Sequence, residues 1–162
     1  MRLPRTRDKA PDGLAPGERV LAWADTDRGP VGGSRDALHL PDGAVPWERL
    51  QAADWDLDTT TLRVSEVGTW GEPRPEHVFV IEEPRLLLEL VRERITASVV
   101  LQRHVPVDGR RGVRVIARRA PRGDQPVAWV FEYDEGIDPD DPLVRTAADD
   151  ALLAARDELG LT

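Results

Sequence analysis

The sequence holds no cysteine and no asparagine, and Lys9 is its single lysine. Without cysteine there can be no disulfide, no thiol nucleophile and no cysteine-ligated zinc or iron–sulfur cluster. Lysine and asparagine codons are AT-rich, so their scarcity points to a GC-rich genome and lowers the weight of the arginine count. Aromatic residues are few, at 5% of the chain. No apolar run approaches the ~20 residues that span a bilayer. The opening stretch "MRLPRTRDKAPDGLAPGERV" is basic and proline-bearing, without the apolar centre of a signal peptide. The expectation is a cytoplasmic protein with no membrane partner.

What is present suits a folded chain. Of 162 residues, 40% are hydrophobic and 32% charged, enough to build one domain or two small ones. The net charge of −8 disfavours nonspecific binding to DNA or anionic lipid.

Residues 1–16 mix proline, glycine and charge without periodicity and read as a flexible arm. From "ERVLAWADT" onward, apolar residues alternate as they do in strands. "GPVGGSR" (29–35) predicts a bent or bulged edge strand, and "DALHLP" another strand with His39 opposite Leu38 and Leu40. In "VPWERL", Pro46 holds Val45 extended and opens a single helical turn that puts Trp47 and Leu50 on one side. That pattern predicts a corner whose apolar residues enter a core, rather than an active site. A strand pair follows, with Trp55 and Leu57 on one face, and then "EHVFVIEE" as a further strand. "EEPRLLLELVRERI" predicts a helix opening at Pro84, with apolar residues at 87, 90, 91 and 95. Three more strands are expected within 98–133, Val127, Trp129, Phe131 and Tyr133 lining one face of the last. A C-terminal helix should then be capped by Asp141, carry Leu143, Ala147, Leu152 and Leu159 on its apolar face, and stop at Gly160.

Four pieces carry a resemblance: Gly17-Glu18-Arg19-Val20-Leu21, Pro46-Trp47-Glu48-Arg49-Leu50, Val78-Phe79-Val80 and the helix from Pro84. In this order they resemble the bacterial pleckstrin-homology-like domains, over about half the chain. The whole chain also resembles an uncharacterised actinobacterial protein family, in keeping with the codon argument. The resemblance implies a β-rich scaffold and no shared catalytic residues. The expected fold class is α+β: a pleckstrin-homology-like β-rich half (17–97) closed by a helix, then three antiparallel strands and a C-terminal helix (98–162). The second part could be separate or continuous with the first.

Catalytic signatures are missing. His39, His77 and His104 fall on three separate strands, and none has a partner at metal-binding helical spacing. Each reads as an exposed or cross-strand packing residue. There is no phosphate loop and no nucleophile elbow. "EYDEGIDPDDP" (132–142) clusters carboxylates as a hard cation needs, but without the alternating spacing of a calcium loop, and helix capping already uses part of it. "RGD" at 122–124 reads as a turn. No metal, cofactor or catalytic residue is expected.

Charge layout is more informative. Residues 92–122 hold nine arginines against two acids, a net +7, whereas 132–158 carry −8. One reading is compensation inside the subunit. The sharper one is an arginine-lined strand surface made by Arg103, His104, Arg110, Arg111, Arg114, Arg118 and Arg119, meeting a protein partner or a second copy. The function expected is therefore a non-enzymatic protein-interaction module. The alternatives are binding or conversion of a small anionic ligand at Arg103 and His104 and, more weakly, association with RNA.

Overall fold

The computed structural model describes residues 9–68, 73–121 and 126–161. The fold is α+β, with three antiparallel sheets and two helices. It divides into two compact units, Met1–Ser98 with Ala120–Arg122, and Val99–Arg119 with Gly123–Thr162. Among the described residues no helix is long and apolar enough to cross a membrane.

The N-terminal unit begins with a four-stranded meander, β1 (Ala22–Thr26), β2 (Gly29–Gly33), β3 (Ala37–Leu40) and β4 (Gly43–Pro46), paired in that order. At the first turn, Thr26 Oγ1 donates to the Gly29 carbonyl at 2.6 Å and accepts from the Arg28 N–H at 3.0 Å. The glycine-rich stretch predicted as an edge strand is instead β2, an inner strand. Its glycines answer to close packing. A Cβ on Gly33 would fall 2.5 Å from Leu90 Cδ2 and 3.0 Å from Trp47 Cζ2. Within the stretch 1–16 expected as an arm, residues 1–8 lie outside the described residues, Ala15 is buried, and Leu14 lies over Gly32.

Pro46 leads straight into a 3-10 turn, Trp47–Arg49, and then into a second meander of β5 (Leu50–Asp56), β6 (Thr61–Glu66) and β7 (Glu76–Val80). Trp47 and Leu50 are both fully buried, so "PWERL" is a corner plugged into the core. Leu57 does not join Trp55 on a strand face. Asp56 Oδ1 accepts the N–H groups of Asp58 and Thr59 at 2.9 and 3.3 Å, which ends β5 in an Asx turn and leaves Leu57 exposed.

Helix α1 (Leu87–Ser98) opens three residues after Pro84, its predicted start. Arg85 has φ +51°, a left-handed conformation that cannot propagate a right-handed helix. Leu87, Val91 and Ile95 recur at helical spacing and join Val31, Leu38, Trp47, Leu62 and Phe79 in one core.

The C-terminal unit is a meander of β8 (Val99–Asp108), β9 (Arg111–Arg118) and β10 (Ala128–Tyr133), with α2 (Pro142–Glu158) against β8 and β9. Asp141 caps α2, its Oδ1 accepting from Leu143 N at 2.9 Å, with Pro142 at the first position. The buried stripe differs from the one predicted. It runs through Val144, Ala148, Ala151 and Ala155, while Leu143 is exposed and Leu152 and Leu159 pack at the margin. One residue turns the helix by about 100°, so taking Leu143 rather than Val144 as the reference rotates the whole face. Alanine lets the helix backbone come close to a sheet already filled by Val115, Trp129 and Phe131. The "RGD" turn lies outside the described residues.

Candidate functional site

Strand alternation decides where the predicted arginine surface goes. His104, Arg114 and Glu132 form one cross-strand row, and Arg103, Val115 and Phe131 the next, so the two rows point to opposite faces. Arg103 is on the face that carries α2, where its Nη2 donates to Glu158 Oε1. Arg114 Nη1 lies 3.7 Å from Glu132 Oε2 on the other face. Arg118 is also there, only 3% exposed; burial pushes its guanidinium below the usual arginine value, and Glu132 pulls it back up. Arg110 and Arg111 stand exposed at the β8–β9 turn, and Arg119 follows the strand. The seven residues do not form one surface, and much of their charge meets acids of the same unit.

His104 Nε2 is 2.8 Å from Asp134 Oδ2, which also accepts the Gly112 N–H at 2.8 Å. The hydrogen bond from His104 first, then that from Gly112, holds the Asp134 carboxyl below the usual carboxylate value. A carboxyl whose pKa is lower folded than unfolded adds stability above the unfolded value and loses it as pH falls through the folded one. Asp134→Asn should therefore flatten the acid limb of a stability–pH profile below about pH 4, with little change near neutrality beyond a constant offset. Urea titrations at several pH values would show this, and parallel profiles for the two proteins would count against it.

Two further acids of 132–142 have structural duties: Asp138 Oδ1 accepts from Asp140 N at 2.9 Å, and Asp141 caps α2. Among the described residues no cluster of three or more His, Asp or Glu could hold a metal ion.

Of the two places expected for it, exposed or packed, His39 takes the packed one, buried in β3 at 6% exposure with both faces of the strand covered. Its Nε2 lies 2.8 Å from Glu18 Oε2 and 2.9 Å from Ser34 Oγ. Hydroxyl and acid share one ring nitrogen, whereas a nucleophilic relay sets them on opposite nitrogens. Ser34 is also fully buried. The cluster satisfies polar groups inside a sheet. His77 is paired across strands as expected, its Nε2 2.7 Å from Glu66 Oε2.

The feature that sequence reasoning missed lies along β1. Among the described residues, β1 is paired only with β2. Beside it are two adjoining hollows of about 480 and 770 Å³, which share Trp23, Glu83 and Arg85. Among the described residues, the smaller is walled by Asp25, Asp27, Glu82 and Glu83, with Arg85 its one cationic side chain. The larger is mostly apolar and includes the exposed Leu21 and Leu86. At one end, Asp27 N donates to the Val80 carbonyl at 3.1 Å, and Val80 N donates to Asp27 Oδ1 at 2.8 Å. A half-exposed tryptophan on an edge strand, between an apolar hollow and an acidic one, offers an anchor for an extended chain. One sequence signal was available: in "LAWAD" the small residues alternate with the large ones, and Ala24 is the buried partner of that pattern.

No protein-family model, curated protein or solved structure matches the chain.

Proposed function

We propose that this chain is a non-enzymatic protein-interaction module that takes a segment of its partner along the outer edge of β1. The observation that carries this reading is the edge itself, with Trp23 between an apolar and an acidic hollow. We further propose that the N-terminal unit is pleckstrin-homology-like. In support, the residues that carry the resemblance fall in order on the approach to β1, the 3-10 corner, β7 and the approach to α1. Binding of a small anion is the weaker reading, because Arg103 and His104 are on opposite faces and each is already bound to a carboxylate. The arginine surface enters the proposal only as a second contact at Arg110 and Arg111, which are exposed together on one turn.

Panning a random-peptide display library against wild type and Trp23→Ala tests the reading. Peptide families should be enriched on wild type and lose about tenfold or more on the variant, the loss expected for a tryptophan anchor. Equal enrichment on the two proteins, with the variant folded by circular dichroism, would remove β1 as the site.

A further inference from the structure

We infer that the occupant of the β1 edge is an extended peptide added as a short extra strand, with an apolar residue two positions from a basic one. The inference rests on the β1 reading above and specifies its partner.

Backbone geometry comes first. Asp25 is opposite Pro30, which has no N–H and so cannot exchange two hydrogen bonds with it. Antiparallel alternation then turns the N–H and C=O groups of Trp23, Asp25 and Asp27 away from β2. The Asp27 N–H does point outward, since its acceptor is the Val80 carbonyl on β7. Among the described residues, no backbone hydrogen bond formed outside the ladders involves Trp23 or Asp25. Two outward-facing residues, about 7 Å apart along the strand, are thus placed to pair with an added chain. The Asp27–Val80 junction limits its length at one end.

Side-chain chemistry sets the pattern. Trp23 and Asp25 are two residues apart and share a face, so the residues facing them on an added strand are also two apart and on that face. One meets the indole beside the apolar hollow of Leu21 and Leu86, and the other meets Asp25 with the rim acids Glu82 and Glu83. Among the described residues, four carboxylates against one guanidinium favour a basic side chain there and oppose an acidic one.

Fluorescence anisotropy with labelled acetyl-Thr-Leu-Thr-Arg-Thr-Arg-Thr-amide tests this on the full chain. Saturable binding is expected, at least about tenfold tighter than for the same peptide with glutamate in place of arginine. N-methylation of the peptide amides that face β1 should weaken it by a similar factor, because it removes strand pairing and keeps the side chains. Asp25→Arg should cut the arginine-over-glutamate preference several-fold, because it leaves three carboxylates against two guanidinium groups, and the exposed position of Asp25 lets melting report directly whether the fold is kept. Equal binding of both peptides would overturn the basic requirement, and indifference to N-methylation would overturn strand addition. If no probe binds although display families depend on Trp23, this inference fails and the β1 reading survives. If neither experiment shows Trp23-dependent binding, both fall. Dimerisation of the protein alone, abolished by Trp23→Ala, would put a second copy on the edge and overturn the peptide.

Discussion

Gly112→Ala is expected to cost the C-terminal unit at least the upper end of the ~1–3 kcal/mol seen when a packed site is overfilled. A Cβ at this position would lie 1.9 Å from the Val105 carbonyl oxygen and 2.8 Å from both Val105 C and Pro106 Cα. These are backbone atoms and cannot swing aside as a side-chain tip could. Relief requires β8 to move away from β9 where Pro106 pairs with Gly112, beside the register shift between Pro106 and Asp108. Two further contacts depend on the same spot, because Asp134 Oδ2 accepts from Gly112 N and holds His104, each at 2.8 Å. Domains of this size are stable by only about 5–15 kcal/mol, so the loss should be plain in urea denaturation and in faster hydrogen exchange of the β8 and β9 amides. Melting like that of wild type would show that the strands are not so close at Gly112.

In the sequence this glycine ends the turn stretch "DGRRG" and opens the expected strand "GVRVIARRA", with no sign of what it meets. Only the register reveals how closely β8 approaches Gly112, because the constraint comes from a neighbouring strand rather than from its own φ. The same holds for the arginines. Their number and order are plain in the sequence, but not that Arg103 and Arg114 face opposite ways, nor that Glu158 and Glu132 would meet them. Features set by local chemistry were readable. Asp141 with Pro142 starts α2, and "VPWERL" makes a corner, because proline geometry and capping act within a few residues. Two other local readings failed for stated reasons. The start of α1 was displaced by the left-handed backbone of Arg85, and the face of α2 was misread by giving weight to leucine over alanine. The β1 edge was hidden by a similar habit. Large residues suggest core, but on β1 the small Ala24 is buried and Trp23 is left half-exposed beside the hollows.

Trp47→Ala should be the most damaging substitution in the N-terminal unit, at about 3–5 kcal/mol, the usual cost of truncating a buried large aromatic residue. Trp47 has no exposed surface, and its ring edge lies over Gly33, where no side chain could fill the space from the β2 side without meeting Leu90. The indole also has a polar duty, Nε1 donating to the Ser34 carbonyl at 2.9 Å. Trp47→Phe separates the two contributions. It keeps most of the ring but leaves a buried carbonyl without its donor, a penalty of about 1–3 kcal/mol. Ser34 is the residue whose hydroxyl meets His39 and Glu18, so loosening its backbone should disturb that cluster as well. Denaturation midpoints should therefore fall in the order wild type, Trp47→Phe, Trp47→Ala, and the His39 ring resonances should shift already in the phenylalanine variant. If Trp47→Phe instead matched wild type in both, the indole N–H would be dispensable, and the corner would hold by volume alone. The expected order would make "PWERL" a plug with a polar latch, in which proline sets the entry, the ring fills the space left by Gly33, and the N–H fixes the β2–β3 connection at Ser34.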